Sequence, residues 1–238
     1  MISANEVIKK IKEKGYWDIS IHPVAFEKDK IKDRKEAIDL VRESVVELRG
    51  WDYPHFTDRE GDPHSIQDGI EKFIAWDNHI ELWRMYLSGQ FIHLLALRED
   101  WLTDEQLHRI AIIQEEKVEK ILEVTGTVYT LTEIFEFARR LAQKGIFQDE
   151  VSIEITLNGI QGRALAIDSS GRIPFLSLRM CQEDQWRYEK TFSVNDLLSE
   201  SKEIALKAIF DLFELFNWFD APIQTIKDDQ DKFLSGRV

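Results

Sequence analysis

Hydrophobic and polar residues alternate most regularly between Gly69 and Leu97, GIEKFIAWDNHIELWRMYLSGQFIHLLAL, in three runs separated by Asp77-Asn78 and Ser88-Gly89. Period-two alternation bounded by turn residues predicts three antiparallel strands. If both turns have two residues, the register is fixed, because loop length decides which residues face each other. His79 then faces Trp76, Arg84 faces Glu71, and Gln90 faces Leu87, so that His93 also faces Arg84. Glu71, Arg84 and His93 form one row across three strands, among Phe73, Leu82, Phe91 and Leu95. Residues 79–97 also carry helix-compatible spacing at Ile80, Trp83, Leu87, Phe91 and Leu94, and a helix there would dissolve the row.

Upstream, Ile2, Val7, Ile8 and Ile11 predict a short amphipathic helix ending at Gly15. Tyr16 to His22 alternates and stops at Pro23, as a half-buried strand does, and residues 24–33 form a charged loop. Ala37, Ile38, Val41, Val45 and Leu48 lie on one stripe of a helix over Arg34–Leu48, closed by Gly50. Beyond the meander, Thr103-Asp104-Glu105-Gln106 is a capping box that opens a helix through Ile121.

Gly126 and the threonines after it mark a boundary, and a second capping box, Thr130-Leu131-Thr132-Glu133, opens an apolar helix that Gly145 ends. Asn158-Gly159 is the preferred pair for a type I′ turn and predicts a hairpin over Val151–Ile167, with Arg163 opposite Glu154. Strands at Ile173–Met180 and Trp186–Phe192 follow, and Ser193 caps a long helix whose Phe210, Phe213, Phe216 and Phe219 recur at intervals of three. The polar segment with Asp228, Asp229 and Asp231 reads as a solvated tail.

The order of elements predicts an α+β fold in which antiparallel β-meanders pack with helices. Residues 1–125 and 126–238 each begin with a helix, pass through a meander and end in a longer helix. They read as two similar α-β-β-β-α halves, each with its own sheet, tightly joined through the Phe-rich helix or fused into one compact unit. Residue by residue the halves match poorly, so the shared order does not establish a duplication.

A hydrophobic content of 43% and a charged content of 32% describe a folded chain, too broken for a membrane protein, and no apolar run approaches the ~20 residues of a span. The first residues enter an amphipathic pattern without an apolar leader core. The single Cys181 excludes an internal disulfide; both features point to a reducing, cytoplasmic setting. The net charge of −13 repels phosphate backbones. The lysines at 9, 10, 12 and 14 lie on a solvated helix face, so nucleic acid is not an expected partner.

Arg84 between Glu71 and His93 could hold a ligand carboxylate or phosphate, with His93 as proton donor; the plainer reading is an ion pair bridging strands. The loop Trp51–Ser65 offers His55, Asp58, Glu60, Asp62 and His64, but matches no metal motif, and no metal or cofactor is expected. His55 and His64 remain ligand candidates beside the row. No phosphate-binding glycine loop, nucleophile elbow, H-E-x-x-H or C-x-x-C is present.

Together these features favour a non-enzymatic, cytoplasmic protein-interaction or regulatory subunit, self-associating or bound to another protein, with 14 Phe and 7 Trp exceeding what small sheets need. The alternative is a small-molecule-binding protein or hydrolase that uses Glu71, Arg84 and His93 with His55 or His64.

Overall fold

The structure is a computed structural model that describes residues 2–56, 61–112, 118, 120–168, 173 and 175–237. It is α+β, as the sequence predicts, but strands from both sides of residue 125 share one sheet. Helix α1 (Ala4–Ile11) starts at a capping box in which Ser3 and Glu6 satisfy each other's backbone N–H groups. It leads into β1 (Tyr16–Pro23), which alternates between the faces of the sheet as its sequence predicts. Helix α2 (Arg34–Ser44) follows, capped by Asp33, and a small ribbon of β2 (Val46–Glu47) and β3 (Asp52–Tyr53) replaces the last turn expected of that helix. The meander is formed by β4 (His64–Ile66), β5 (Gly69–Ala75), β6 (Ile80–Tyr86) and β7 (Phe91–Ala96).

The capping box at Thr103 and Gln106 is present, but its helix, α3 (Asp104–Ile110), is short and gives way to β8 (Ala111–Ile112) and β9 (Ile121–Glu123). Helix α4 (Val124–Gln143) begins earlier than the second capping box predicts. Glu123 caps it, and Gly126 lies in its first turn. Thr130 and Thr132 sit inside it, with the Thr132 hydroxyl donating back to the Val128 carbonyl at 2.7 Å. Then come β10 (Glu150–Asn158), β11 (Ala164–Asp168), β12 (Gln185–Ser193), α5 (Val194–Glu214) and α6 (Ile223–Leu234). The segment expected to be a polar tail is therefore a helix, with Ile226, Gln230 and Phe233 buried against α4 and α5.

The large sheet runs β12-β10-β1-β7-β6-β5-β4, antiparallel throughout. Asn158-Gly159 does not close a hairpin: β10 has β1 on one edge and β12 on the other, so no edge is left for β11. A turn at Gly162 (φ 74°) carries the chain away, and β11 pairs with β8 and, in parallel, with β9. Glu154 therefore stands beside Ser20 and Glu189, while Arg163 is buried against Asp100. The expected strand over residues 173–180 reduces, among its described residues, to a bridge between Met180 and Ala164.

The inner sheet face carries Trp17, Ile19, Ile21, Trp83, Met85, Phe91, Ile153, Ile155 and Leu157, and joins α2, α4 and α5 in one apolar core. Residues from both ends of the chain meet in that core; Phe213 and Phe216 are inside it, whereas Phe219 is exposed. On the outer face α1 covers the meander, through Val7 and Ile11 against Ile80, Leu82 and Ala96, with Tyr16 of β1 at the margin. No helix among the described residues is long and apolar enough to cross a membrane.

Candidate ligand-binding site

The turns of the meander decide which side chains can meet. Trp76 and His79 close a two-residue turn, and Glu71 faces Arg84 as predicted, with Arg84 Nε donating to Glu71 at 3.0 Å. The second turn holds three residues. Tyr86 N–H donates to Gln90 O at 2.8 Å around Leu87, Ser88 and Gly89, and Gly89 takes the left-handed conformation (φ 84°) that ends such loops. One extra residue shifts the pairing by one, so Arg84 faces Ile92 and His93 faces Trp83. The predicted Glu71/Arg84/His93 row is therefore corrected: His93 points to the opposite face of the sheet. Glu71 and Arg84 keep their row on the outer face, and the third position there belongs to His64 of β4, which lies opposite Glu71. His64 is exposed; His55 is buried and on the inner side. Of the remaining donors in the 51–65 loop, Asp58 and Glu60 lie outside the described residues, and Asp62 pairs with Arg42 at 3.2 Å.

On the inner face His93 is fully buried. Its Nδ1 lies 3.2 Å from the Tyr53 hydroxyl and its Nε2 lies 3.2 Å from Glu81 Oε2. Glu81 also accepts the His55 backbone N–H at 2.7 Å, and His79 Nε2 lies 3.3 Å from its second oxygen contact, Oε2. Trp83 Nε1 donates to the His55 carbonyl at 2.9 Å, so two neighbouring positions of β6 pin the segment after β3. Burial alone would raise Glu81, but the His93 charge and the hydrogen bonds of His79 and His93 outweigh it and hold the carboxyl well below its ordinary value. The reciprocal effect raises His79: burial opposes protonation, and the Glu81 carboxylate overcomes it. Asp52 lies 2.5 Å from His55 Nδ1; despite burial, that contact and the Phe56 N–H lower its pKa.

A second buried carboxyl approaches from α4. Glu133 binds the Arg49 guanidinium through both oxygens, and Arg49 also donates to Thr130 at 3.1 Å. Burial nevertheless raises Glu133 to about 7; Arg49 opposes the shift and the nearby Glu81 charge adds to it. Burial, with the charges of Glu133 and Glu81, also lifts the Tyr53 phenol well above its usual range.

This cluster borders a cavity of about 90 Å³ between the meander and the first turns of α4. Its apolar floor comes from Trp17, Leu95, Leu97 and Leu122; Glu81, His79 and Asp52 form one wall, and Glu123, Thr127 and Thr130 another. Trp51, 37% exposed, stands at the solvent side. The guanidinium of Arg49 lies 5.3 Å and that of Arg98 5.7 Å from its ring centre, and the His79 ring 6.1 Å away. Arg98 has no hydrogen bond or ion pair among the described residues. Glu99, also lining the cavity, is half-buried and raised by desolvation, even though its carboxylate accepts the Glu123 N–H at 3.0 Å.

Arg49, Glu81, Glu133 and His79 are the site residues that sequence reasoning misses. Glu81 has one signal in the sequence: it shares parity with Trp83 and Met85, so an inward-facing strand position holds an acid. Arg49 and Glu133 come together only through tertiary packing. Among the described residues no group of three or more His, Cys, Asp or Glu side chains is arranged to hold a metal ion. Comparisons with protein-family models, curated proteins and solved structures find no match to this chain.

Proposed function

We propose that the protein binds a small molecule in the cavity beneath Trp51, and does so as a regulatory rather than a catalytic component in the cytoplasm. The observation that carries this reading is the gathering of Arg49, Arg98 and His79 around one partly exposed indole, above an apolar floor. Ligand sites commonly combine apolar walls with a few convergent polar groups and titratable residues of shifted pKa. His93 contributes from behind the wall, through Glu81, because it has no access of its own. Incorporation of fluorotryptophan, with Trp51→Phe to identify the Trp51 signal, tests the reading against a library of small acids, amines and neutral compounds. Compounds that shift the Trp51 signal and raise the melting temperature support it; a library in which none does so overturns it.

A protein partner or self-association is a second reading, supported by large apolar side chains left in solvent at Leu176, Phe219 and Ile223. Sedimentation velocity across a concentration series tests self-association; a strictly monomeric species removes that form of it.

A further inference from the structure

Resting on the ligand-binding reading, we propose that the cavity takes a small monocarboxylate, its anionic head between Arg98 and His79 and its short carbon chain over Leu95, Leu97 and Leu122. Three cationic or protonatable groups surround Trp51, and their commitments differ. Arg49 is held by both oxygens of Glu133 and by Thr130, so its donors are already directed inward. Arg98 is exposed and only stacks on the indole, leaving its planar fork of donors for a partner of carboxylate geometry. His79 presents an imidazole whose other side is backed by the buried Glu81, an arrangement that fixes the ring and favours its charged form.

The walls limit the charge of the guest. Glu81 is an ionised, buried carboxylate beside the proposed head group, and Asp52, Glu99 and Glu123 line the same cavity. A phosphate dianion would meet those charges at short range with only one uncommitted guanidinium to offset them. A cation would have to approach Arg49 and Arg98 together. A single negative charge, balanced by Arg98 and a protonated His79, fits the charge on the walls. The floor requires an apolar portion, because Trp17, Leu97 and Leu122 offer no polar side-chain atom other than the indole N–H, and about 90 Å³ holds a chain of only a few carbons.

Binding is coupled to a proton. The titratable and charged groups that act on His79 are Glu81 from β6, Asp52 from β3, Arg49 from the β2–β3 turn, Glu133 from α4 and the neighbouring His55 ring. Of these, Glu81 and Asp52 favour its protonation and Arg49 opposes it. Affinity for the carboxylate is therefore greatest at mildly acidic pH, above the guest's own carboxyl titration at about 4–5, and falls as pH rises through the titration of His79, which is raised above its ordinary 6.5.

The test uses butyrate, benzoate, their uncharged amides, butylamine and inorganic phosphate with the full chain, read by the Trp51 fluorine signal and by titration calorimetry. Carboxylates should bind, their amides should bind at least about tenfold more weakly, and Arg98→Met and His79→Gln should each lower carboxylate affinity by at least about tenfold. Circular dichroism and melting curves confirm that both variants are folded; if His79→Gln is not, Arg98→Met and the pH profile decide. Amides or the amine binding as well as the acids overturn the carboxylate assignment but leave a ligand-binding cavity. Preferential binding of phosphate likewise overturns the monoanion argument. If no probe perturbs Trp51 while the wider library does, the carboxylate class fails alone; if neither does, the binding reading fails with it.

Discussion

Glu81 and His93 meet at 3.2 Å from adjacent strands with neither side chain open to solvent. The contact holds because Glu81 is also the acceptor for the His55 N–H and the neighbour of His79, so the buried carboxylate has a partner on each side. Replacing it by alanine leaves a buried imidazole and a backbone donor uncompensated, and should destabilise the protein by about 3–5 kcal/mol. Glu81→Gln keeps an acceptor for His55 and should cost less. Urea denaturation compares the two; a loss below about 1 kcal/mol for alanine would show that the cluster is solvated.

Stability should decline as pH rises from mildly acidic to neutral. Glu133 is raised from 4.5 to about 7, so the folded state holds a proton that the unfolded chain has released, and stability falls across that interval and then levels. His79 is raised as well; its contribution is full below 6.5 and is lost as pH climbs through its folded value. Glu81 acts in the opposite sense, contributing above 4.5 and losing that contribution only when pH falls through its depressed value. Denaturation midpoints at several pH values should show the decline, and Glu133→Gln should flatten the part between 4.5 and about 7. An unchanged slope in that variant would assign the dependence elsewhere.

The register of β6 and β7 can be tested by cross-linking. Arg84 faces Ile92, so Arg84→Cys with Ile92→Cys places two thiols directly opposite, within reach of a disulfide. Arg84→Cys with His93→Cys would place them on opposite faces of the sheet. Mass spectrometry after mild oxidation should find the bond in the first pair and not in the second. The buried native Cys181, its thiol raised by burial, should not interfere.

Strand positions were legible in the sequence because alternation is a local property; Tyr16–Pro23 and Gly69–Ala75 appear as expected. The orientation of His93 was not, because it depends on whether Ser88-Gly89 ends a loop of two residues or three, and both loops accept a glycine in that place. Asn158-Gly159 failed for a different reason. Gly159 bends the chain at φ 70°, but Asn158 stays paired as the last residue of β10, whose other edge is taken by β12, some thirty residues later in the chain. The cavity was invisible because Arg49, Glu81 and Glu133 belong to three elements whose approach no spacing encodes.

Gly15 should tolerate no side chain. Its N–H donates to Asp100 at 2.8 Å, and Asp100 in turn holds the fully buried Arg163, which also donates to the carbonyls of Ile121 and Gly159, each at 2.9 Å. A Cβ at Gly15 would run into the Arg163 guanidinium and stand 2.6 Å from Leu97 Cδ1. Gly15→Ala should lower stability by about 1–3 kcal/mol, visible as a drop in melting temperature. An unchanged melting temperature would mean that Arg163 can move without loss.

The placement of β1 has a consequence for how the molecule is made. This strand ends at Pro23, yet its two edges are taken by Phe91–Ala96 and by Glu150–Asn158. During synthesis it leaves the ribosome long before its second neighbour exists, and until then it can offer a bare row of amides and carbonyls to any passing strand. An interior strand of the finished protein is thus the exposed strand of the nascent one, and the interval before residue 158 emerges is when a chaperone would matter most.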